Sequence, residues 1–363
     1  MPASSVGTSG VITRQGCCRG PAGADGAAHV NETTAPVDHV GGILSVLLVG
    51  GLVLGINFAA VPGAGTLVLG MAAIALAALI AFVVQQRRAS NPLYDLHVAA
   101  RPTFWVAACA GLVVFGSLMG ALFIGQQYLQ NVLAYDSLQA GAAILPAVFC
   151  MVLVAPRSAK LVESIGARAV LLTGYAFVLL GFLTMLLLWR EDSSYWVVGL
   201  AYALVGVGVG FAGTPASHSL TGSVPVTRVG MASGTADLQR DLGGAIMQSI
   251  FGALLTAGYA EAATSAAQAA PEEVTSSTQA QFTKSFDGAE AVAAQYPQYA
   301  DAITAAARDS FLKGDQWAYT AGMVAVLLGA ALVATRFPRR DDERRLMASY
   351  QATDSGTAPA ATP

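Results

Sequence analysis

Residues 231–258 read MASGTADLQRDLGGAIMQSIFGALLTAG. From Leu242 onward the stretch is apolar enough for a bilayer, yet Asp237, Arg240 and Asp241 stand immediately before it. The residues from Leu242 to Ala257 make about 24 Å of helix at 1.5 Å per residue. That falls short of about 30 Å of hydrocarbon. The helix is therefore expected to extend back through DLQRD, which brings Arg240 and Asp241 to the inner edge of the bilayer core. A lipid-facing charge costs roughly 2.5–3.5 kcal/mol at the helix centre even on the lenient insertion scale. Asp237 and Arg240 are spaced i,i+3, and Asp237 and Asp241 i,i+4, so the three share one side of the helix. They are expected either to gate a water-filled vestibule or to snorkel and anchor the helix. Gln248, the strongly polar residue deeper in the stretch, either lines a cavity or bonds across to a neighbouring helix.

The rest of the chain supports a membrane setting. It is 55% hydrophobic and 11% charged, against roughly 25% charged in soluble domains. A net charge of −3 gives no case for a nucleic-acid partner. Eight apolar runs are long enough to cross a bilayer: 40–59, 65–85, 104–127, 139–158, 169–189, 195–215, 235–258 and 317–336. No carboxylate stands isolated in the middle of the last six. With the gaps assigned to alternate sides, fifteen of the 19 Lys and Arg fall on the side of the N-terminus. By the positive-inside rule both termini are cytoplasmic. Trp105, Trp189, Trp196 and Trp317 fall at span ends, where an indole keeps its ring in the interface and its N–H wet.

The expected fold class is an all-α polytopic membrane protein with eight transmembrane helices. A disordered cytoplasmic segment (1–38) without the apolar core of a signal peptide precedes a helix pair (39–86). A six-helix bundle (102–337) carries a long extracytoplasmic loop (259–316), and a charged cytoplasmic tail (338–363) follows. The end of that loop, YADAITAAARDSFLKGDQW, has helical spacing and is expected to lie along the outer surface as an amphipathic cap. Gly51/Gly55, Gly116/Gly120 and Gly206/Gly210 are G-x-x-x-G pairs, which let helix backbones approach closely. Pro146 and Pro215 are expected to kink their spans. Gly208-x-Gly210-x-x-Gly213 matches the dinucleotide fingerprint but lacks its strand, and helix packing explains it. Asn31-Glu32-Thr33 is a sequon on the cytoplasmic side and reads as chance. Cys17, Cys18, Cys109 and Cys150 have neither disulfide-framework nor zinc spacing. His29, His39, His97 and His218 lack metal-ligand spacing and read as solvated. No catalytic set, metal site or cofactor motif is present in the sequence.

Five stretches, in order, resemble the 14-span drug:H+ antiporters of EmrB/QacA type within the major facilitator superfamily. They are VDHVGGILSVLLVGGLVLG, NPLYDLHVAARPTF, GQQYLQNVLAYDSLQAGAAILP, LVESIGARAVLLTG and GSVPVTRVGMASGTADLQRDLGGAI. The resemblance covers about residues 28–340. In that family six spans form an N-terminal bundle, two extra spans follow, and six more form the C-terminal bundle. The register matches residues 39–86 to the extra pair and 102–337 to the C-terminal bundle. Lys160, Gly166 and Arg168 resemble a degraded repeat of the family's Gly-Asp-Arg loop, which clamps cytoplasmic helix ends; ordinary positive-inside charge is the alternative. Gln126, Gln127 and Tyr128, with Gln130, crowd the outer end of the third span and form either part of a substrate cavity or a polar helix end.

The resemblance implies the C-terminal half of a proton-coupled multidrug efflux transporter in the plasma membrane. Its partners are the lipid bilayer, small hydrophobic or cationic molecules, protons and a missing N-terminal bundle. A truncated, non-transporting membrane product, or one half of a split transporter, is the alternative. An intramembrane enzyme lacks an ordered nucleophile and base. The topology has a direct check. A reporter fused after Ala267 reports outside and one after Arg345 inside, and the opposite result at either point overturns the charge-based orientation.

Overall fold

The computed structural model describes residues 38–59, 63–269 and 275–354. The helices in chain order begin with α1 (His39–Ala59), α2 (Gly65–Arg88), α3 (Leu96–Ala99) and α4 (Pro102–Asn131). Next come α5 (Ser137–Ala142), α6 (Leu145–Ile165), α7 (Ala167–Leu188) and α8 (Tyr195–Gly222). The last are α9 (Val229–Gln268), α10 (Ser276–Lys284), α11 (Phe286–Gln295), α12 (Ala300–Arg336) and α13 (Arg340–Asp354). The described residues hold 8 helical segments long and apolar enough to cross a membrane, with α5 and α6 together forming the fourth. That is the number expected from the apolar runs. Large apolar side chains such as Val46, Leu69, Leu76 and Leu328 point away from the protein, as lipid-facing positions require.

Helices α1 and α2 pack chiefly on each other, and α1 also touches α9. Their shared base is polar. Asp38 caps α1 by accepting from the Gly41 N–H at 2.9 Å and from the side-chain amides of Gln85 and Gln86, each at 3.0 Å. The Gly41 bond is the main reason the Asp38 carboxyl sits below its ordinary pKa. Gln86 in turn accepts from the Tyr94 N–H, which ties the pair to the link before α4.

The other six spans, α4, α6, α7, α8, α9 and α12, enclose the core. Glycines set how closely they approach. A Cβ on Gly116 of α4 would lie 2.6 Å from Gly243 O of α9. One on Gly206 of α8 would lie 2.1 Å from Ala147 O of α6. Gly51 meets Met71 and Ala75 across the α1–α2 pair. Each G-x-x-x-G pair thus supplies a helix contact, the use the spacing implies.

Four features differ from expectation. Helix α9 runs 40 residues and α12 runs 37, about 60 and 55 Å, so both project past the hydrocarbon. Segment 259–316 is therefore no open loop but the overhang of these two helices with α10 and α11 between them. Phe282, Phe286 and Val292 are buried there, Phe286 meets Phe311 edge-on at 5.9 Å, and the Tyr259 hydroxyl donates to the carbonyls of Phe282 and Ser285. The expected surface cap is the first half of α12 itself, continuous with the span. Pro146 stands in the first turn of α6, where its missing N–H costs nothing; the chain instead breaks at residues 143–144, after the capping box of Asp136 and Gln139. Pro215, and also Pro156, lie inside helices. Of the tail, residues 340–354 form α13. Residues 1–37, with Cys17, Cys18 and the Asn31 sequon, lie outside the described residues.

The backbone contacts make a quantitative expectation. Gly206→Ala forces α6 and α8 apart and destabilises the fold by about 1–3 kcal/mol, the usual range for overpacking. Gly70→Ala on α2 has nothing within 4 Å of the new methyl and is neutral or slightly stabilising through helix propensity. Unfolding of the purified protein in denaturing detergent measures both.

Candidate functional site

The residues singled out in DLQRD occupy the cytoplasmic third of α9 on the charge-based orientation. Arg240 and Asp237 form a 3.4 Å ion pair whose side chains are 50% and 67% exposed. Asp241 is also exposed, with no ion pair among the described residues. A pair this open and long contributes about 0–1 kcal/mol at most. The expected shortage of helix does not arise. The uncharged stretch continues past Ala257 to Ala260, and from Leu242 to Ala260 is about 28 Å, so Asp241 and Glu261 can stand at opposite edges of the hydrocarbon.

What the structure adds is the neighbour. The Arg240 guanidinium lies over the Phe115 ring of α4, 5.4 Å from its centroid. Four residues further along α9, Gly244 faces Met119, and eight beyond that position Gly252 faces Phe123. Two rows with four-residue spacing therefore run side by side, Arg240/Gly244/Gln248/Gly252 on α9 and Phe115/Met119/Phe123/Gln127 on α4. The last row ends at the polar cluster of the third span. Gln248 is half-buried and makes no side-chain hydrogen bond among the described residues. The two α9 glycines let Met119 and Phe123 pack close, and the half-buried aromatic and thioether side chains form one face shared by the two helices. Such a surface suits an apolar or cationic small molecule, through aromatic faces and nearby carboxylates.

The remaining residues of the third-span cluster divide. Gln126 donates to Ala140 O at 2.8 Å and so pins the lead-in to α6. Tyr128 is fully buried, with its hydroxyl donating to Arg190 O at 2.6 Å. Gln127 is half-buried and accepts only a weak 3.4 Å bond from Asn131. Of the three, Gln127 alone is without a strong hydrogen-bond partner among the described residues.

Gly166 and Arg168 come together at the α6–α7 junction. Gly166 adopts φ 88°, a left-handed value that favours glycine, and a Cβ there would also strike Arg340. The Arg168 guanidinium donates to Ala334 O, tying α7 to the end of α12. Helix α13 closes over this junction: Arg340 and Arg344 donate to Glu163 O, and Glu343 accepts from the Ala167 N–H. At its far end Arg101 pairs with Asp354 at 2.8 Å, lies over Tyr350 and donates to Ser223 O. The clamp thus spans α4, α6, α7, α8 and α12. Lys160 is exposed and stands outside it, beside Arg157 and Pro156.

Three functional-looking residues are not apparent from sequence. Gln239, between the charges of DLQRD, is buried and donates to Ala107 O at 2.9 Å, in space left by Gly111. Trp189 is not an interface anchor: it is 5% exposed and its N–H has no partner among the described residues, because it is stacked on Tyr128 inside the bundle. Trp196, 81% exposed, fits the interface role. Asp315 is buried although it precedes the expected last span. The clue was the helical spacing of the segment before Trp317, which extends the span back over Asp315.

The fold is that of a multi-pass helical membrane protein. The sequence model of the Major Facilitator Superfamily matches residues 37–248, and the chain belongs to that superfamily. It is 33% identical over 234 residues to the multidrug resistance protein Stp of Mycobacterium tuberculosis, covering 62% of this chain and 42% of Stp. It is 27% identical to the multidrug efflux pump LfrA of Mycolicibacterium smegmatis, covering 84% of this chain and 59% of LfrA. It is 26% identical to the quinolone resistance protein NorB of Staphylococcus aureus, covering 58% of this chain and 44% of NorB. The chain thus spans about half the length of these relatives. A solved bacterial homologue of the human lysosomal transporter Spinster, inward-facing and occupied, shares the fold with a TM-score of 0.51 at 17% identity, over 83% of this chain and 68% of that one.

The clamp makes a pH expectation. Burial raises the Glu343 carboxyl above its ordinary 4.5, opposed by the Ala167 N–H and Arg344. Docked, the group holds its proton more tightly than when free. Docking of α13 is therefore strongest below the ordinary value and weakens as pH rises through the raised one. Spin-label distances between α13 and α6 lengthen over that range, and Glu343→Gln abolishes the pH dependence.

Proposed function

We propose that the chain supplies the extra helix pair and the C-terminal bundle of a proton-coupled exporter of hydrophobic or cationic small molecules, of the 14-span EmrB/QacA type, in the plasma membrane. The observation that carries this reading is the face shared by α4 and α9. It bears aromatic and thioether side chains, an amide at Gln248 and another at Gln127, and the Asp237, Arg240, Asp241 cluster at its charged end. A second six-helix bundle facing it would complete a cavity with access alternating by rocking. The efflux and resistance names of Stp, LfrA and NorB support the substrate class.

In this mechanism Arg240 is the cytoplasmic gate. Its charge is balanced by Asp237 and Asp241 and its guanidinium is held by the Phe115 face, so it can swing between the carboxylates and the opposite bundle. Gly166, Arg168 and α13 keep the cytoplasmic ends of the bundle moving as one body. Coverage of about half of each relative favours a second reading, in which the chain by itself moves nothing. The two separate in one experiment. Expressed alone in liposomes with a proton gradient, the chain gives no substrate movement; joined to a six-span N-terminal bundle it gives efflux, and Arg240→Ala abolishes that efflux at unchanged expression. Full efflux by the Arg240→Ala protein leaves only an anchoring role for the cluster, and no efflux from the joined protein sustains the inert reading.

A further inference from the structure

Asp315 lies on α12 at the end of the bundle opposite DLQRD and is 1% exposed. Neither carboxylate oxygen has a hydrogen-bond partner among the described residues. The backbone fixes its place: α12 and α9 touch here, and a Cβ on Gly314 would lie 2.5 Å from Leu255 O. Tyr319, one turn further along α12, belongs to an aromatic box. Trp189 stacks on Tyr128 at 4.6 Å and takes the edges of Tyr202 at 5.7 Å and Tyr319 at 5.8 Å. Tyr128, Tyr202 and Tyr319 are each within electrostatic reach of Asp315. The Trp189 N–H and the hydroxyls of Tyr202 and Tyr319 are likewise buried without partners. Five unpartnered polar atoms thus belong to one cluster, where buried polar groups are normally satisfied.

We propose that Asp315 and its aromatic box are a proton-binding site. A lone buried carboxylate is an acceptor-only charge with nothing to balance it. Among the described residues no Lys or Arg pairs with it. Arg308, seven residues earlier on α12, has its Nε buried and unpartnered and forms no ion pair with Asp315; Arg190 is exposed. On α9 the Tyr259 hydroxyl is committed to Phe282 and Ser285. A protonated carboxyl instead offers one donor and one acceptor, which match hydroxyls able to do both. Loading is a simple transfer: hydronium gives its proton to the carboxylate and leaves as water, and release reverses it. Asp315 faces the bundle interior at the edge of the hydrocarbon, and an unpaired carboxylate buried in such surroundings fits a proton relay. The site stands on this geometry; its use as the coupling site rests on the antiporter reading above.

The test is infrared difference spectroscopy of the purified chain in lipid nanodiscs across a pH series. The wild type shows a protonated-carboxyl C=O band that comes and goes with pH. Asp315→Asn loses that band, Asp315→Glu restores it at a shifted position, and Tyr202→Phe moves it by removing a hydroxyl neighbour. Circular dichroism establishes folding of each variant. If the wild type has no such band, or if Asp315→Glu folds and lacks it, the proposal is overturned; displacement of the wild-type band by sodium or a quaternary ammonium ion shows a cation site instead and also overturns it. Proton-driven efflux by the joined transporter separates the two readings. The band without proton-coupled efflux leaves the site and strikes the antiporter, and coupled efflux without the band does the reverse.

Discussion

Close contact between helix backbones is the constraint on which the rest of this structure depends. In lipid, an apolar side chain gains little by leaving hydrocarbon for another apolar side chain, so association depends on packing density and buried hydrogen bonds. Gly116 against Gly243 brings α4 onto α9, and that contact sets the Phe115 and Arg240 rows side by side. Gly314 against Leu255 and Gly258 brings α12 onto α9, and that contact buries Asp315. Gly125 leaves space for the Tyr202 hydroxyl. Both candidate sites are therefore by-products of where glycine permits two backbones to meet.

Polar ties at the DLQRD end of the bundle complement this packing. Arg168 to Ala334, Arg340 to Glu163 and Arg101 to Asp354 join helices that are far apart in sequence. Each is a charged donor meeting a carbonyl or carboxylate where water is partly excluded, which makes it stronger than a surface pair. Asp38 with Gln85 and Gln86 does the same for the peripheral pair. A bundle tied at one end and packed through glycine along its length is suited to move as a unit.

The candidate site was legible in part. Charge spacing in DLQRD placed Asp237, Arg240 and Asp241 on one side, and they are all exposed. Gln239 escaped notice because its neighbours are charged and it faces the other way, into the space above Gly111. Gln126 and Tyr128 were legible as a polar cluster, but their carbonyl partners lie on Ala140 and Arg190, and such pairings have no signature along the chain. Trp189 sits at a span end as interfacial tryptophans do; only the presence of Tyr128, Tyr202 and Tyr319 around it reverses that reading.

By itself the sequence determined the membrane class, the number of spans and the glycine contacts, because hydropathy and small-residue spacing are local quantities that lipid reads directly. It also determined the resemblance that placed the chain among the facilitators. Only the tertiary structure decided which polar residues face inward. Helix α12 extends back past Trp317, α9 extends on to Gln268, and segment 259–316 folds between them, since its apolar side chains have partners only once the two helices stand together. Asp315 has an ordinary neighbourhood in sequence, and its isolation arises from three tyrosines and a tryptophan delivered by α4, α7, α8 and α12.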